Sequence, residues 1–188
     1  MNLDPPVETP GRPPSVGPPT RPHMNGDSEM TIGFVDSAVG TCNIPEPVRA
    51  LSSLPDIDYA DRFTLSTEVI ATPEQWARAI FGDVPHAGEL LIWCGLLGFR
   101  LSRKRSPATV AGWRIGGRGE DWVRLEAASW FLTGNLLVQT AGEQVSLATF
   151  LHYRRRVGRG VWPPLSAVHR RLVPGLLHDA EARLRALR

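Results

Sequence analysis

The chain has one lysine (Lys104), two cysteines, two tyrosines and no apolar run approaching the roughly 18 residues of a spanning helix. It also lacks an apolar run of signal-peptide length near its start, so a soluble, cytoplasmic protein is expected. Cys42 and Cys94 are too few for a disulfide framework and lack zinc-ligand spacing, which fits a reducing compartment and no structural metal. GWRIGGRGE lacks the glycine order of a dinucleotide fingerprint, and no serine or cysteine sits in a nucleophile-elbow sequence. His86, His152, His169 and His178 show no paired ligand spacing. The carboxylates Asp56, Asp58 and Asp61 match no calcium loop and read as an exposed loop running into a strand. No cofactor is expected.

What is present suffices for one core. Of 188 residues, 42% are hydrophobic, but they are distributed unevenly. Residues 1–30 are rich in proline and poor in large apolar side chains, so burial there cannot offset ordering entropy and a disordered tail is expected. Residues 31–58, interrupted by Pro45, Pro47 and Pro55, read as a lead-in wrapped on the domain. Residues 59–188 read as the domain itself.

Within it, YADRFTL alternates Tyr59, Asp61, Phe63 and Leu65 against polar or small neighbours and predicts a strand. Thr72-Pro73-Glu74-Gln75 is a helix start, with a capping threonine, proline at the first helical position and a carboxylate in the first turn. Trp76, Ala77, Ile80 and Phe81 then share a face. HAGELLIWCGLLGF, 86–99, predicts a second, uniformly apolar helix buried in the core. From 109 the period becomes two: VAGWRIGG, DWVRLEAAS, FLTGNLLVQTA and EQVSLATFLHYRRR predict a four-stranded antiparallel meander. Trp113, Ile115, Val123, Leu125, Ala127, Leu136, Val138, Leu147, Leu151 and Tyr153 fall on its inner face. Arg114, Arg124, Glu126, Gln139, His152 and Arg154 fall on the other, where His152 beside Glu126 is either a surface pair or an acid–base pair. After Pro163 and Pro164, a long helix is expected with its buried stripe on Leu165, Val168, Leu172, Leu176, Ala180, Leu184 and Leu187, kinked at Pro174.

Charge is divided by sign: residues 1–98 carry 5 basic and 13 acidic groups, residues 99–188 carry 16 and 6. Arg103, Lys104 and Arg105 follow the apolar segment, and Arg154, Arg155 and Arg156 follow the last strand. The second cluster reads first as a solvated strand end, because alternate residues of a strand point to opposite faces. A weak contact with phosphate or an acidic membrane is the competing reading. Nucleic-acid binding would call for exposed aromatics or a docking element, neither evident in the sequence.

The order strand, two helices, antiparallel strands, long C-terminal helix resembles the helix-grip architecture of the START-like, or SRPBCC, superfamily. DYADRF, RKRSPATVAGWRI, VRLEAAS, LATFLHYRRRVGRGVW and AVHRRLVPGLL are similar to an uncharacterised actinobacterial domain family usually placed there, over roughly 48–180. The resemblance implies an α+β fold: an antiparallel sheet wrapped on the C-terminal helix, two helices between the first and second strands, and an apolar cavity. Five strands can be counted against six or seven expected, and TIGFVDSAV is the place for a missing one. The implied partner is a lipid or aromatic small molecule, with Trp113, Thr149 and Tyr153 as candidate contacts because each offers a polar handle from an apolar face. The same three also fit as plain core residues. A ligand-free module using the basic surface and a cyclase- or hydrolase-like enzyme remain the other classes.

Overall fold

The structure is a computed structural model that describes residue 1, residues 34–83 and residues 91–187. The chain divides into Met1–Thr31 and Ile32–Arg188, and every element below belongs to the second unit. The expected disordered tail over 1–30 lies, Met1 apart, outside the described residues.

Seven antiparallel strands form a single open sheet: β1 (Val35–Val39), β2 (Tyr59–Ser66), β3 (Thr109–Val110), β4 (Trp113–Arg118), β5 (Trp122–Ala128), β6 (Leu132–Ala141) and β7 (Gln144–Tyr153). Their order across the sheet is β1-β2-β7-β6-β5-β4-β3. The helices are α1 (Glu46–Arg49), α2 (Pro73–Phe81) and the C-terminal α3 (Arg156–Ala186), and Leu91–Leu96 makes a π-helical turn. None of these helices is long and apolar enough to cross a membrane. The fold is thus α+β, with a long C-terminal helix packed on one sheet face.

Two of the seven strands were not counted from sequence. β1 lies inside TIGFVDSAV and pairs with β2, Val35 opposite Leu65 and Val39 opposite Asp61. VAGWRIGG, expected as one strand, is broken between Val110 and Trp113 by Ala111 and Gly112, both left-handed at φ 46 and 80. Two successive positive φ values make the tight turn that matches strand twist. A Cβ on Gly112 would stand 2.4 Å from the Ser102 carbonyl oxygen, so a side chain there is excluded by space as well as by backbone.

Helix α2 begins as expected. The Thr72 hydroxyl accepts from the Gln75 backbone N–H, and the Gln75 side chain accepts from Thr72 N–H, a reciprocal cap. Its buried face is Trp76, Ala77, Ile80 and Phe81, and Gly82 at φ 77 ends it. The expected second helix is realised differently: residues 91–96 form the π-helical turn, with Leu96 exposed and Leu97 and Phe99 buried, and Gly98 turns the chain at φ 63. Residues 86–90 of that expected helix lie outside the described residues.

The inner face of the meander is as the alternation predicts. Trp113, Val123, Leu125, Ala127, Leu136, Val138, Leu147 and Leu151 are buried, with Ile115 and Tyr153 packed at the margin. The opposite face is less polar than expected, because the lead-in covers it: Ile44 and Val48 bury Ala60, Leu137, Ala148 and Phe150 in a second, smaller core. Polar anchors fix that layer. Buried Asn135 accepts through Oδ1 from Ser52 Oγ and Ser53 N at 2.9 and 2.8 Å, and Arg124 donates to the Leu51 carbonyl at 2.6 Å. Residues 35–58 thus supply an edge strand and part of the cover on this sheet face.

Two expectations for the C-terminal helix are corrected. It starts at Arg156, not after Pro163 and Pro164, which lie inside it. Each proline leaves the carbonyl four residues earlier without its donor, and those residues, Arg159 and Gly160, are exposed to solvent. YRRRVGR is accordingly a strand end at Tyr153 followed by a helix start, not one extended segment. The buried stripe keeps Ala180, with Leu165, Leu176 and Leu184 packed at its margin, but its centre is rotated by one residue. Trp162, Ser166, Val173, Leu177, Ala180 and Glu181 are buried, whereas Val168, Leu172 and Leu187 are 49%, 51% and 82% exposed. Counting apolar residues alone favours the leucine stripe, but Trp162 was placed outside the helix and two polar members of the real face have internal partners. Ser166 donates to the Pro163 carbonyl at 2.7 Å, and Glu181 accepts from Thr67 at 2.6 Å and from Arg185 at 2.8 Å.

Candidate ligand cavity

The rotation of α3 leaves a cavity of about 330 Å³ between the sheet, the π-helical turn and the helix. This lies at the small end of the roughly 300–1,000 Å³ range of ligand pockets. Leu136, Leu147 and Leu151 line it from the sheet, and Leu165, Val168, Leu172 and Leu176 from α3. The leucines expected to be core thus wall a cavity, and Val168 and Leu172 remain half open to solvent.

Two aromatic groups frame it. Trp93 meets Phe81 and Trp113 edge-on at centroid distances of 5.9 and 5.6 Å, and Phe99 meets Trp113 at 5.1 Å. Gly134 beneath them has no side chain to lift them: a Cβ would stand 3.1 Å from Leu151 and 3.2 Å from Phe99. On the other side Trp162 meets Tyr59 at 5.2 Å and the His169 ring at 5.6 Å.

One polar chain reaches this apolar space. Asp61, wholly buried on β2, accepts through Oδ2 from the Tyr59 hydroxyl at 2.5 Å and lies 3.2 Å from His169 Nε2. The same nitrogen lies 3.2 Å from Thr149 Oγ1, and Thr149 and His169 both line the cavity. A bare nitrogen lone pair facing a buried carboxylate at this distance would be repelled, so Nε2 carries the proton. Burial, and then the Asp61 charge, push the Tyr59 phenol well above its ordinary range, so it stays a donor. In a hydrolytic triad the acid and the hydroxyl bond opposite nitrogens of the imidazole, so that one ring relays a proton. Here both crowd Nε2, and the arrangement holds the ring without activating Thr149. Among the described residues, the buried indole N–H groups of Trp113 and Trp162 and the buried Asp61 Oδ1 have no hydrogen-bond partner.

Of the three expected contacts, Trp113 and Thr149 line the cavity and are 2% and 3% exposed. Tyr153 is not in the wall; its ring packs over Gly158 where β7 passes into α3. Asp61 lies on β2 in the alternating set with Tyr59, Phe63 and Leu65, as the strand reading of YADRFTL has it, and is buried rather than exposed. Trp162 and His169 were missed because the helix was started too late and registered on its leucines. His152 and Glu126 are not brought together. His152 Nδ1 lies 3.2 Å from Asp58, while Glu126 pairs with Arg114 and Arg124. No cluster of metal-ligating side chains occurs among the described residues.

The six basic residues are all exposed. Arg105 pairs with Asp83 at 2.7 Å, beside an open cleft of about 460 Å³ also lined by Arg78, Ser106 and Pro107. Arg154 donates to the Ser129 carbonyl at 3.3 Å, at the turn between β5 and β6.

Comparisons of this chain with protein families, curated proteins and solved structures found no match.

Proposed function

We propose that this chain is a helix-grip, START-like domain that holds one small apolar molecule between its sheet and C-terminal helix. The observation carrying this reading is the cavity wall: aromatic and aliphatic side chains almost throughout, with one imidazole held in place by a buried carboxylate. The order of elements and the sheet packed on a long last helix support the architectural part.

The polar lining suggests the kind of molecule. With the proton on His169 Nε2, the Thr149 hydroxyl hydrogen is free to point into the cavity. A buried donor without an acceptor costs about 1–3 kcal/mol. A guest bearing an acceptor oxygen on a flat apolar body offsets that cost at Thr149, whose hydroxyl lies in the cavity wall. Asp61 behind the wall and Asp179 at its margin disfavour a carboxylate, which leaves a neutral carbonyl as the best fit.

Native mass spectrometry of protein purified from its own host tests this. The expected spectrum shows a single noncovalent adduct, small enough for the cavity, that is released on denaturation. Ligand-free protein that also fails to retain any carbonyl-bearing aromatic compound from a screen would overturn the reading.

A further inference from the structure

One end of the sheet carries a surface that the cavity does not explain. Three stretches without a single aspartate or glutamate, 94–107, 127–142 and 153–178, meet there. Backbone bonds tie them together: Arg100 N donates to the Ala128 carbonyl at 3.2 Å and Arg155 N to the Phe131 carbonyl at 3.3 Å, beside the Arg154–Ser129 contact. Between these anchors, at the β5–β6 turn, Trp130 is 62% exposed, its ring edge-on to Phe131. Leu96 is 50% exposed on the π-helical turn, and Gly98 nearby comes within Cβ reach of Ser129 and Phe131.

We propose that this surface docks on an anionic lipid bilayer, with Trp130 and Leu96 entering the headgroup boundary and Arg100, Arg154 and Arg155 meeting lipid phosphates. An indole is suited to that boundary, being a large apolar body with a polar edge. Asp58 reaches the edge of this surface, where it accepts from Tyr153 N and lies against His152 and Arg159, and Asp83 is paired with Arg78 and Arg105, so neither is bonded to Arg100, Arg154 or Arg155. Helix α3 adds to the positive field, since it starts beside these arginines with no acidic residue in its first turn. That placement is unfavourable for the isolated domain and becomes favourable against a negative surface. Exposed arginines next to exposed apolar side chains distinguish this end of the molecule from the cleft at Arg105, where charges are already paired and no large apolar side chain is involved. A nucleic acid would use the arginines and could stack on Trp130, but it offers Leu96 nothing to enter.

Sedimentation of the full chain with vesicles tests the proposal, comparing pure phosphatidylcholine with mixtures containing phosphatidylserine, at about 0.1 M and about 1 M salt, where the Debye length falls from about 10 to about 3 Å. Binding to the anionic vesicles at the lower salt, little binding to neutral ones, and loss at high salt are expected. Trp130→Ala should weaken binding about ten-fold and each arginine removed about five-fold, without a change in melting temperature. Leu96→Ala serves as the second apolar variant if Trp130→Ala fails to fold. Equal binding to both vesicle types, or variants that bind as the parent does, overturns the proposal. So does tighter binding to a single-stranded oligonucleotide than to anionic vesicles at equal phosphate, which would assign the surface to nucleic acid.

Discussion

The rotated register of the C-terminal helix makes a sharp comparison available between two leucines five residues apart. Leu177 has none of its surface in water and sits in the main core with Val173 and Ala180. Truncating a side chain so placed removes its transfer free energy and leaves a void, together about 2–5 kcal/mol. For a domain of this size that lowers the melting temperature by about 4–20 °C, at about 2–4 °C per kcal/mol. Leu172 has 51% of its surface in water and faces the cavity. Its truncation creates no closed void and removes at most about half of the roughly 1.5–3 kcal/mol that full burial of a leucine contributes, so Leu172→Ala should cost about 1.5 kcal/mol or less. Differential scanning calorimetry on the two variants and the parent, with urea unfolding as a check on two-state behaviour, reads both values. Equal shifts, or a larger one for Leu172→Ala, would show that α3 packs on its leucine stripe after all, and would close the cavity.

Three other outcomes are expected. Asn135→Ala removes the acceptor of both Ser52 Oγ and Ser53 N and should cost about 1–3 kcal/mol in urea unfolding, while Ser52→Ala, which removes one donor and leaves Asn135 bonded to Ser53, should cost less. Both tyrosines are held above their ordinary range, Tyr59 by burial and then the Asp61 charge, Tyr153 by burial and then the Asp58 charge. Above about pH 10 the unfolded chain therefore binds fewer protons than the native one, so this contribution to stability is complete below that pH and is lost as pH rises through the folded values; absorbance at 295 nm should show native tyrosines titrating later than those in urea. Thr149→Val should leave the affinity for a purely apolar guest unchanged and remove the advantage of a ketone, as measured by calorimetry.

How much of this was legible in the sequence depended on whether the signal was local. Helix α2 was, because Thr72, Pro73 and Gln75 satisfy its first-turn donors from within six residues. The meander was, because a two-residue period with apolar residues on one face specifies the inward set of four strands together. The break at Ala111 was not, since alanine rarely takes a left-handed conformation and only its pairing context places it there. The helix face was not, because its choice rests on partners far along the chain: Thr67 for Glu181, Asp61 for His169. Trp113 and Thr149 could be named because each offers a polar handle on the apolar face of its strand, inside the cavity that the helix-grip resemblance implies. The cavity itself follows from Val173 and Leu177, rather than Leu172 and Leu176, turning toward the core, a difference of one residue in register that an amphipathic pattern rich in leucine does not resolve.

The central claim is that an apolar guest with an acceptor oxygen occupies this space, and calorimetric titration with acetonaphthone and ethylnaphthalene tests it most directly. The two probes share a shape and differ in the carbonyl. The parent should bind both with one site per chain, the ketone more tightly, and Leu172→Trp, which fills the mouth from an exposed position, should abolish both without lowering the melting temperature. No saturable binding of either probe to the parent, or undiminished binding to the filled variant, would contradict it.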